Sequence, residues 1–347
     1  MEIEMTNSHM KRNKSRTYFV ILCMICVSSG VQAKAYNKQF PPPPAKHDVT
    51  ISNGGLAITF NIVWGGVIVA VTNRNVAKGL NLVDTHDVGR ELQVDQFLDL
   101  MMNGHQSLMI NPTQAGALGQ QAFYQHPNGV QIPEAGSKVV KWKAGRSHFH
   151  AIIQPLDYDT GKSTNWVYVE NVRVNSQGVA RFHFTFYNHE PKTYLMASEV
   201  PTLYSDWTDA FLYPLVSPYG LAGAALRRQV GAKWPVEMVR ANHWPGGHLN
   251  SKGWIANIDT KDNIGIFYTT PVGLSETYGI FPHAAFRGKN PLGKSSVVAE
   301  KLTSYPGEIY SIDFSVLVST PKNGPALISR QPQAVLRIIR NNPRASK

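Results

Sequence analysis

Apolar and polar residues alternate along much of this chain, in short runs separated by turn residues. In the run 180–186, Ala-Arg-Phe-His-Phe-Thr-Phe, every second side chain falls on one face of an extended strand, so one face is predicted to be buried. The preceding hexapeptide, 174–179, has the composition of a hairpin turn. The strands predicted in this way are 49–51, 56–62, 67–71, 138–142, 148–153, 166–174, 179–187, 225–230, 254–258, 264–268, 277–281, 296–303 and 309–318.

About fourteen strands with polar turns predict an all-β fold, a large antiparallel sandwich. The absence of an internal repeat, and of a composition break after Pro44, favours one domain over two, with the sandwich at 47–322. Helical periodicity is rare until 326–339, where a short C-terminal helix is expected, although Pro332 interrupts it. Residues 323–347 are therefore expected to form a basic helix and tail.

The N-terminal residues have the organisation of a secretory signal peptide. Basic residues at 11–16 precede ten apolar residues at 18–27, and small residues follow up to Ala33 and Ala35. Ten apolar residues are too few to span a membrane, so no integral span is expected in the mature protein. We expect cleavage of 1–33 and a periplasmic or secreted location, with 34–46 forming a stiff Pro-rich linker.

The positions of the cysteines and the net charge limit the catalytic groups and the ligands that the mature protein can use. Cys23 and Cys26 both lie in the apolar run and leave with the signal peptide, which excludes disulfides and thiolate catalysis in the mature chain. The net charge is +11, and the residues beyond 329 include five basic and no acidic side chains. A basic chain suits an anionic surface or an acidic polysaccharide, whereas export and the lack of a nucleic-acid motif argue against nucleic acid.

The stretch from Asn81 to Gln121 is rich in polar side chains, and between Asp84 and Gln96 few apolar residues separate them. A guanidinium suits bidentate clamping of a carboxylate or vicinal hydroxyls, and each side-chain amide offers both a donor and an acceptor. We interpret the stretch as a ligand-reading loop; the alternative is a polar loop with an Asp87–Arg90 turn pair. The candidate ligand-binding residues are His86, Arg90, Gln93, Asn111 and Gln114, with Asp87 as a candidate catalytic carboxylate.

Two later stretches carry further candidates. Glu199 follows a strand-like run and precedes Val200-Pro201, and a carboxylate on a loop at a strand end suits a catalytic acid or base. The alternative is a surface pair with an arginine. In 242–248, His243 is a candidate proton shuttle, while Trp244 and His248 are candidate sugar contacts in a Gly/Pro-rich loop.

Other histidines and acids are ambiguous. His148 and His150 share one strand face, which suits a metal site or, more commonly, a solvent-facing pair, and the same ambiguity applies to His183 and Glu170. The chain has no H-x-x-x-H helix pair, P-loop, dinucleotide fingerprint or G-x-S-x-G elbow in a supporting context. No cofactor and no metal site are therefore predicted.

Several segments resemble secreted bacterial proteins that are similar to the galactose mutarotase-like superfamily, a β-supersandwich. The segments are GLAITFNIVWGGVIVAVTN (55–73), NLVDTHDVGRELQ (81–93), NPTQAG (111–116), SEVPTLY (198–204) and GWIANIDTKDNIGIFY (253–268). The resemblance spans about residues 50–320 and implies a carbohydrate site on a concave sheet face. It implies that six residues lie near that site: Asp87, Arg90, Gln93, Asn111, Gln114 and Glu199. Mutarotases use a His and a Glu as acid and base, but the superfamily also contains lyases and hydrolases, so it does not choose the reaction.

These observations together predict a secreted carbohydrate-active protein, a glycan-degrading hydrolase or lyase. A hydrolase needs two carboxylates, for which Glu199 and Asp87 are the candidates. A lyase needs a base and a group that neutralises a uronate, a role that Arg90 suits. One alternative is a carbohydrate-binding protein of the cell envelope without catalysis, and another is a structural envelope protein whose basic tail binds an anionic surface.

Overall fold

The computed structural model describes fifteen segments of the chain, all within one compact unit, Ala35–Lys347. They are 47–62, 65–76, 80–83, 92–98, 108–111, 137–157, 163–191, 193–205, 208, 210–217, 220–227, 247–250, 253–271, 275–281 and 292–339. The expected signal peptide and linker lie outside the described residues.

The described residues form twenty strands and one short α-helix, α1 (Gly324–Ile328). The strands are β1 (Asp48–Asn53), β2 (Leu56–Asn61), β3 (Val67–Asn73), β4 (Leu92–Leu98), β5 (Leu108–Asn111), β6 (Lys138–Ala144), β7 (His148–Gln154), β8 (Leu156–Asp157), β9 (Trp166–Val174), β10 (Val179–Asn188), β11 (Tyr194–Ser205), β12 (Ala210–Ser217), β13 (Gly220–Arg227), β14 (Gly247–Asn250), β15 (Trp254–Asp259), β16 (Ile264–Thr269), β17 (Ser275–Phe281), β18 (Leu292–Ser304), β19 (Ile309–Ser319) and β20 (Val335–Ile339).

These strands build two antiparallel sheets. The first sheet runs β1-β2-β3-β4-β11-β18-β17-β14, with β5 added to β4 and β8 added to β5. The second sheet runs β13-β12-β15-β16-β19-β10-β9-β7-β6, and β20 lies along β19. The all-β antiparallel sandwich expected from the sequence is confirmed, and so is each strand predicted by alternation from β1 to β3 and from β6 to β10.

The main hydrophobic core lies between the two sheets and takes side chains from both. Phe60 of the first sheet stacks on Phe149 of the second with ring centroids 3.9 Å apart. Within the second sheet Phe182 stacks on Phe314 at 4.7 Å. Each large apolar side chain buried in this way contributes roughly 1.5–3 kcal/mol, so the alternating runs of the sequence are what hold the sheets together.

Two turn residues, Gly178 and Asn175, explain the tight hairpin between β9 and β10. Gly178 adopts a positive φ of 73°, which an L side chain rarely takes. Asn175 accepts hydrogen bonds on its side-chain oxygen from the backbone N–H of Gln177 at 2.9 Å and of Val179 at 3.0 Å. The turn predicted for 174–179 is therefore confirmed.

A second, smaller core lies on the opposite face of the second sheet and is covered by α1. Ile328 packs there with apolar residues of β15, β16 and β19, and Trp254 donates a hydrogen bond from Nε1 to Ser329 Oγ at 3.1 Å. Gly324 lies against the ring of Phe267, since a Cβ added there would be 2.1 Å from Cζ of that ring. The position of α1 is thus decided by contact with the sheet.

The C-terminal region differs from the helix expected over 326–339. The helix is five residues long, and residues 335–339 form β20, which pairs with β19 from Asp313 to Ile309. Pro332 cannot continue a helix, and the free edge of β19 offers backbone partners to the residues that follow it. Within the described part of the chain no helix is long and apolar enough to cross a bilayer.

Candidate functional site

Four of the ten residues predicted for the site fall in described segments, and all four are on the first sheet. Gln93 lies in β4, Asn111 ends β5, Glu199 lies in β11 and His248 lies in β14. The other six, His86, Asp87, Arg90, Gln114, His243 and Trp244, lie outside the described residues.

The segment around Gln93 is a strand, where a polar loop was expected. β4 pairs with β11 on one side and with β3 and β5 on the other, so it lies well inside the first sheet. Its first residue, Leu92, is buried in the main core and pairs with Leu203 of β11. The sequence did not indicate this strand, because the polar residues of 92–98 alternate with only a few apolar ones.

Glu199 lies in the middle of a twelve-residue strand, where a loop at a strand end was expected. The pairing of β11 with β4 explains how the strand continues past Pro201. Glu199 pairs with Asp95 and Thr202 pairs with Gln93, so three steps along β11 match two along β4. The extra residue makes a β-bulge, where the ladder is locally interrupted and a proline without an N–H is tolerated.

A second irregularity lies on the other side of Glu199. Met196 pairs with Leu302 of β18, but Ser198 pairs with Ala299, so here β18 carries the extra residue. Glu199 itself pairs with Val298. Bulges bend a strand and change the aim of nearby side chains, and they are over-represented beside active sites. Glu199 therefore lies between two register shifts in the pairing of β11 with its neighbours.

Polar residues form one continuous register row across five strands of the first sheet. The row runs Gln93 (β4), Thr202 (β11), Ser296 (β18), Thr277 (β17) and His248 (β14). It joins two residues that the sequence singled out in widely separated stretches. We call it the polar row. His248 was expected in a loop, but it lies in strand β14 and joins the row because it pairs with Thr277 of β17.

The polar row occupies the face of the first sheet that is turned away from the second sheet. The neighbouring row contains Leu92, Leu203 and Ser295, which are 3%, 0% and 0% exposed. The hydroxyl of Tyr268, from the second sheet, donates to Ser295 Oγ at 2.8 Å, so this neighbouring row faces the inter-sheet space. Because successive residues of a strand alternate between faces, the polar row positions belong to the opposite face.

The next row on that face begins with two acidic residues. Asp95 and Glu199 are directly opposite one another in the pairing of β4 with β11. Directly paired residues in an antiparallel ladder have Cα atoms roughly 4.5–5.5 Å apart. Asp95 lies in the polar stretch of the sequence, where nothing distinguished it from its neighbours. It pairs with Glu199 only because of the register that the bulge creates.

A buried network of hydrogen bonds supports the strands of this site from behind. Asn257 of β15 donates from Nδ2 to Ser205 Oγ at 3.1 Å and accepts on Oδ1 from Ser295 Oγ. Ser205 also bonds Thr208 through its hydroxyl. Asn257, Ser205 and Ser295 are each 0% exposed. The network connects β11, which contains the bulge, and its neighbour β18 to β15 of the second sheet. No sequence pattern indicated it.

The second sheet carries an exposed polar cluster on its outer face. His183 Nδ1 lies 2.6 Å from Asp313 Oδ1, and Nε2 of the same ring lies 3.1 Å from Thr185 Oγ1. Arg337 forms an ion pair with the other oxygen of Asp313. Burial alone would raise the pKa of Asp313, but the hydrogen bonds and charges of Arg337 and His183 outweigh it and hold that pKa below its ordinary value.

Glu170, ambiguous in the sequence, is a fully buried residue of the inter-sheet core. Neither of its carboxyl oxygens has a hydrogen-bond partner among the described residues, and the same holds for Tyr168 Oη and Trp166 Nε1 on the same face of β9. Burial raises the pKa of Glu170 well above its ordinary value, and burial followed by the charge of Glu170 raises that of Tyr168. His150, the other ambiguous case, bonds Asn171 Oδ1 through Nδ1 at 2.7 Å.

Within the described segments no three His, Cys, Asp or Glu side chains come together in a way that could hold a metal ion. Hydroxyl, amide, imidazole and carboxyl residues instead dominate the polar row and the Asp95–Glu199 row beside it. These groups read sugar hydroxyls and move protons.

No protein-family model matches the chain, and no curated protein sequence matches it significantly. Among solved structures, several galactose mutarotase-like proteins are similar to this chain. A galactose mutarotase-like protein from Clostridium acetobutylicum is 10% identical with a TM-score of 0.44, and covers 79% of this chain and 95% of its own. Galactose 1-epimerase from Lactobacillus acidophilus is 11% identical with a TM-score of 0.44, covering 79% and 94%. A GalM/aldose epimerase homologue from C. elegans is 13% identical with a TM-score of 0.43, covering 79% and 98%. Likeness at this level assigns no activity or site residue to this chain.

Proposed function

We propose that this protein acts on carbohydrate at a site on the first sheet, formed by the polar row and by Asp95 and Glu199 beside it. The observation that carries the proposal is the register that brings Gln93 and His248 into one row. Both residues were singled out for sugar recognition from separate stretches of sequence, and the strand pairing provides a reason for them to act together.

The reaction we propose is glycan cleavage, by hydrolysis or by elimination. In a hydrolase, Glu199 would act as one carboxylate of the pair, and Asp95 or Asp87 as the other. In a lyase, Glu199 or His243 would abstract a proton and Arg90 would neutralise a uronate. The bulge beside Glu199 supports a functional role because bulges change the direction of nearby side chains and are over-represented next to active sites.

The test is turnover of purified polysaccharides, neutral and uronate-containing, by the full chain. New reducing ends without unsaturated sugar indicate hydrolysis, and unsaturated uronate indicates elimination. Glu199→Gln keeps the shape and hydrogen bonding of the side chain but carries no proton. We expect turnover to fall by about two or more decades with little change in affinity.

Two further variants sharpen this test. Asp95→Asn should lower turnover on a similar scale if Asp95 is the second carboxylate. Glu276→Gln removes a carboxylate from β17, where Glu276 pairs with Leu249 and Val297 outside both rows, and should leave turnover unchanged. Full activity of Glu199→Gln on a glycan that the wild type cleaves would remove Glu199 from the mechanism. Binding of glycans without any product would favour the non-catalytic alternative.

A further inference from the structure

The outer face of the second sheet is divided into two halves of opposite character. One half, over β15, β16 and the end of β19, is apolar and covered by α1. The other half, over β6, β7, β9 and β10, is rich in basic residues, most of them exposed, and we call it the basic face. It consists of Lys138, Lys141, Lys143, His148, His150, Arg173, Arg181 and His183.

The basic residues of this face are placed directly opposite one another. His148 pairs with Arg173, and Arg173 pairs with Arg181, so three basic side chains stand side by side across three strands. Lys143 pairs with His150 in the next row. Neighbouring strands are roughly 5 Å apart, and like charges in direct register destabilise a sheet. The fold itself therefore gives no reason for this arrangement.

Among the described residues, the basic face has one acidic partner, Asp313, which pairs with His183. Within the described part of the chain, the ion pairs recorded on the outer face of the second sheet are the two that Asp313 makes, with His183 and Arg337. Lys141, Lys143, Arg173 and Arg181 are exposed, and none of them has an ion-pair partner among the described residues. Four positive charges are thus available to a ligand from solvent.

A cleft adjoins the basic face where β6, β7 and β9 run side by side. Its volume is about 360 Å³, which lies in the range of small-molecule sites. Ile152, in direct register with Lys141, is part of its wall, so the cleft and the basic face are continuous. Polar side chains also line it, among them Gln154, Asn165 and His189.

The polar groups of the cleft are held in place. The backbone N–H of Asn165 donates to Glu190 at 2.8 Å and its side-chain amide to the same carboxylate at 3.4 Å. Gln154 donates to the Thr164 carbonyl at 3.2 Å. The His189 ring is parallel to that of Tyr187, with centroids 6.3 Å apart. Side-chain amides and an aromatic ring are the groups that recognise sugar hydroxyls and sugar faces.

We propose that the basic face and this cleft together bind a linear carboxylated polysaccharide, separately from the site on the first sheet. The cleft takes a sugar ring, and the rows of arginine, lysine and histidine take the carboxylates of the following units. A concave cleft that carries amide and imidazole groups among apolar side chains fits a sugar ring of an extended chain, whereas a flat layer of lipid headgroups would leave it unfilled. The binding does not depend on catalysis at Glu199.

The test is calorimetric binding of oligogalacturonides of defined length to the full chain, at low and at raised ionic strength. We expect binding that weakens with salt, and no binding of neutral dextran of matched length. Replacing Lys141, Lys143, Arg173 and Arg181 with Gln should weaken binding about tenfold or more, since each exposed ionic contact adds up to about fivefold. Asn165→Ala should weaken it at both ionic strengths.

A control removes two exposed charges elsewhere, Lys261→Gln with Lys322→Gln, and is compared with the double variant Arg173→Gln with Arg181→Gln, which removes the same number from the basic face. The control should bind like the wild type, and the double variant should bind more weakly. Equal weakening by this control would overturn the proposal in favour of net charge alone. Binding to phosphatidylglycerol vesicles without binding to oligogalacturonide would overturn it in favour of a membrane surface. Loss of binding in Glu199→Gln, with normal binding by the fourfold variant, would return the ligand to the first sheet.

Discussion

Replacement of Glu170 by Gln should change the pH dependence of stability, because Glu170 is fully buried and has no hydrogen-bond partner in the part of the chain that the structure describes. Its folded-state pKa is raised well above the value of 4.5 expected when exposed. Below pH 4.5 the carboxyl is protonated in both the folded and the unfolded chain, so it costs nothing electrostatically. As the pH rises towards the folded-state pKa, only the unfolded chain releases the proton, and stability is lost.

The size of this effect follows from proton linkage. One proton bound in the folded state but not in the unfolded state lowers the free energy of unfolding by about 1.4 kcal/mol per pH unit. Gln is neutral and nearly isosteric, so it removes this slope. The free energy of unfolding of Glu170→Gln minus that of the wild type should therefore rise by about 1.4 kcal/mol per pH unit above pH 4.5, until the folded-state pKa is reached.

Urea unfolding of both proteins at intervals between about pH 5 and about pH 8 measures this difference. The slope is the diagnostic quantity, since the buried amide of Gln also lacks partners and adds a constant penalty. Lowering of the Asp313 pKa affects both proteins equally and cancels. Glu190→Gln, at a residue that bonds Asn165 near the surface, controls for the loss of one carboxylate.

A different result would refute the reasoning. If Glu170 were ionised in the folded protein and held by a cation, Glu170→Gln would be less stable than the wild type by several kcal/mol across the whole pH range. A flat difference between the two proteins would show that the carboxyl titrates alike in the folded and unfolded chains.

Three further predictions concern the packing and processing of the chain. Asn257→Ala should lower the free energy of unfolding by about 2–4 kcal/mol in urea, because it removes one hydrogen-bond partner from each of the buried hydroxyls of Ser205 and Ser295; an unchanged midpoint would show that the network is not needed. Gly324→Ala should cost about 1–3 kcal/mol through contact with Phe267, and Phe267→Leu in the same chain should recover part of it; additive costs would exclude the contact. Mass spectrometry of the exported protein should find an N-terminus directly after residue 33 or 35, whereas an intact leader on exported protein would contradict the signal peptide.

Sequence alone determined much of the fold, because alternation is a local property. Strands with clean period-2 patterns, such as β9 and β10, were predicted to within a residue or two, and the turn at Gly178 follows from its neighbours. The apolar positions of these strands also predicted their buried face. The all-β class needed nothing beyond these local patterns.

Tertiary structure decided the rest, because pairing and register are not local. β4 and the middle of β11 carry polar residues on a face that packs away from the main core, so their sequences looked like loops. The opposition of Asp95 to Glu199 depends on a bulge at 200–201, and no spacing in the sequence encodes it. The same holds for β20, where a free edge of β19 decides that 335–339 is a strand.

The burial of Glu170 is a further case. The residues two positions before and after Glu170, Tyr168 and Val172, are apolar, so alternation places Glu170 on the apolar face of β9. The first sheet covers that face, and Gly66 comes close to the carboxyl. The order of residues along a strand determines which side chains share a face. Only the packing of one sheet on the other decides how completely a residue on that face is buried, because burial depends on contacts between segments far apart in the chain.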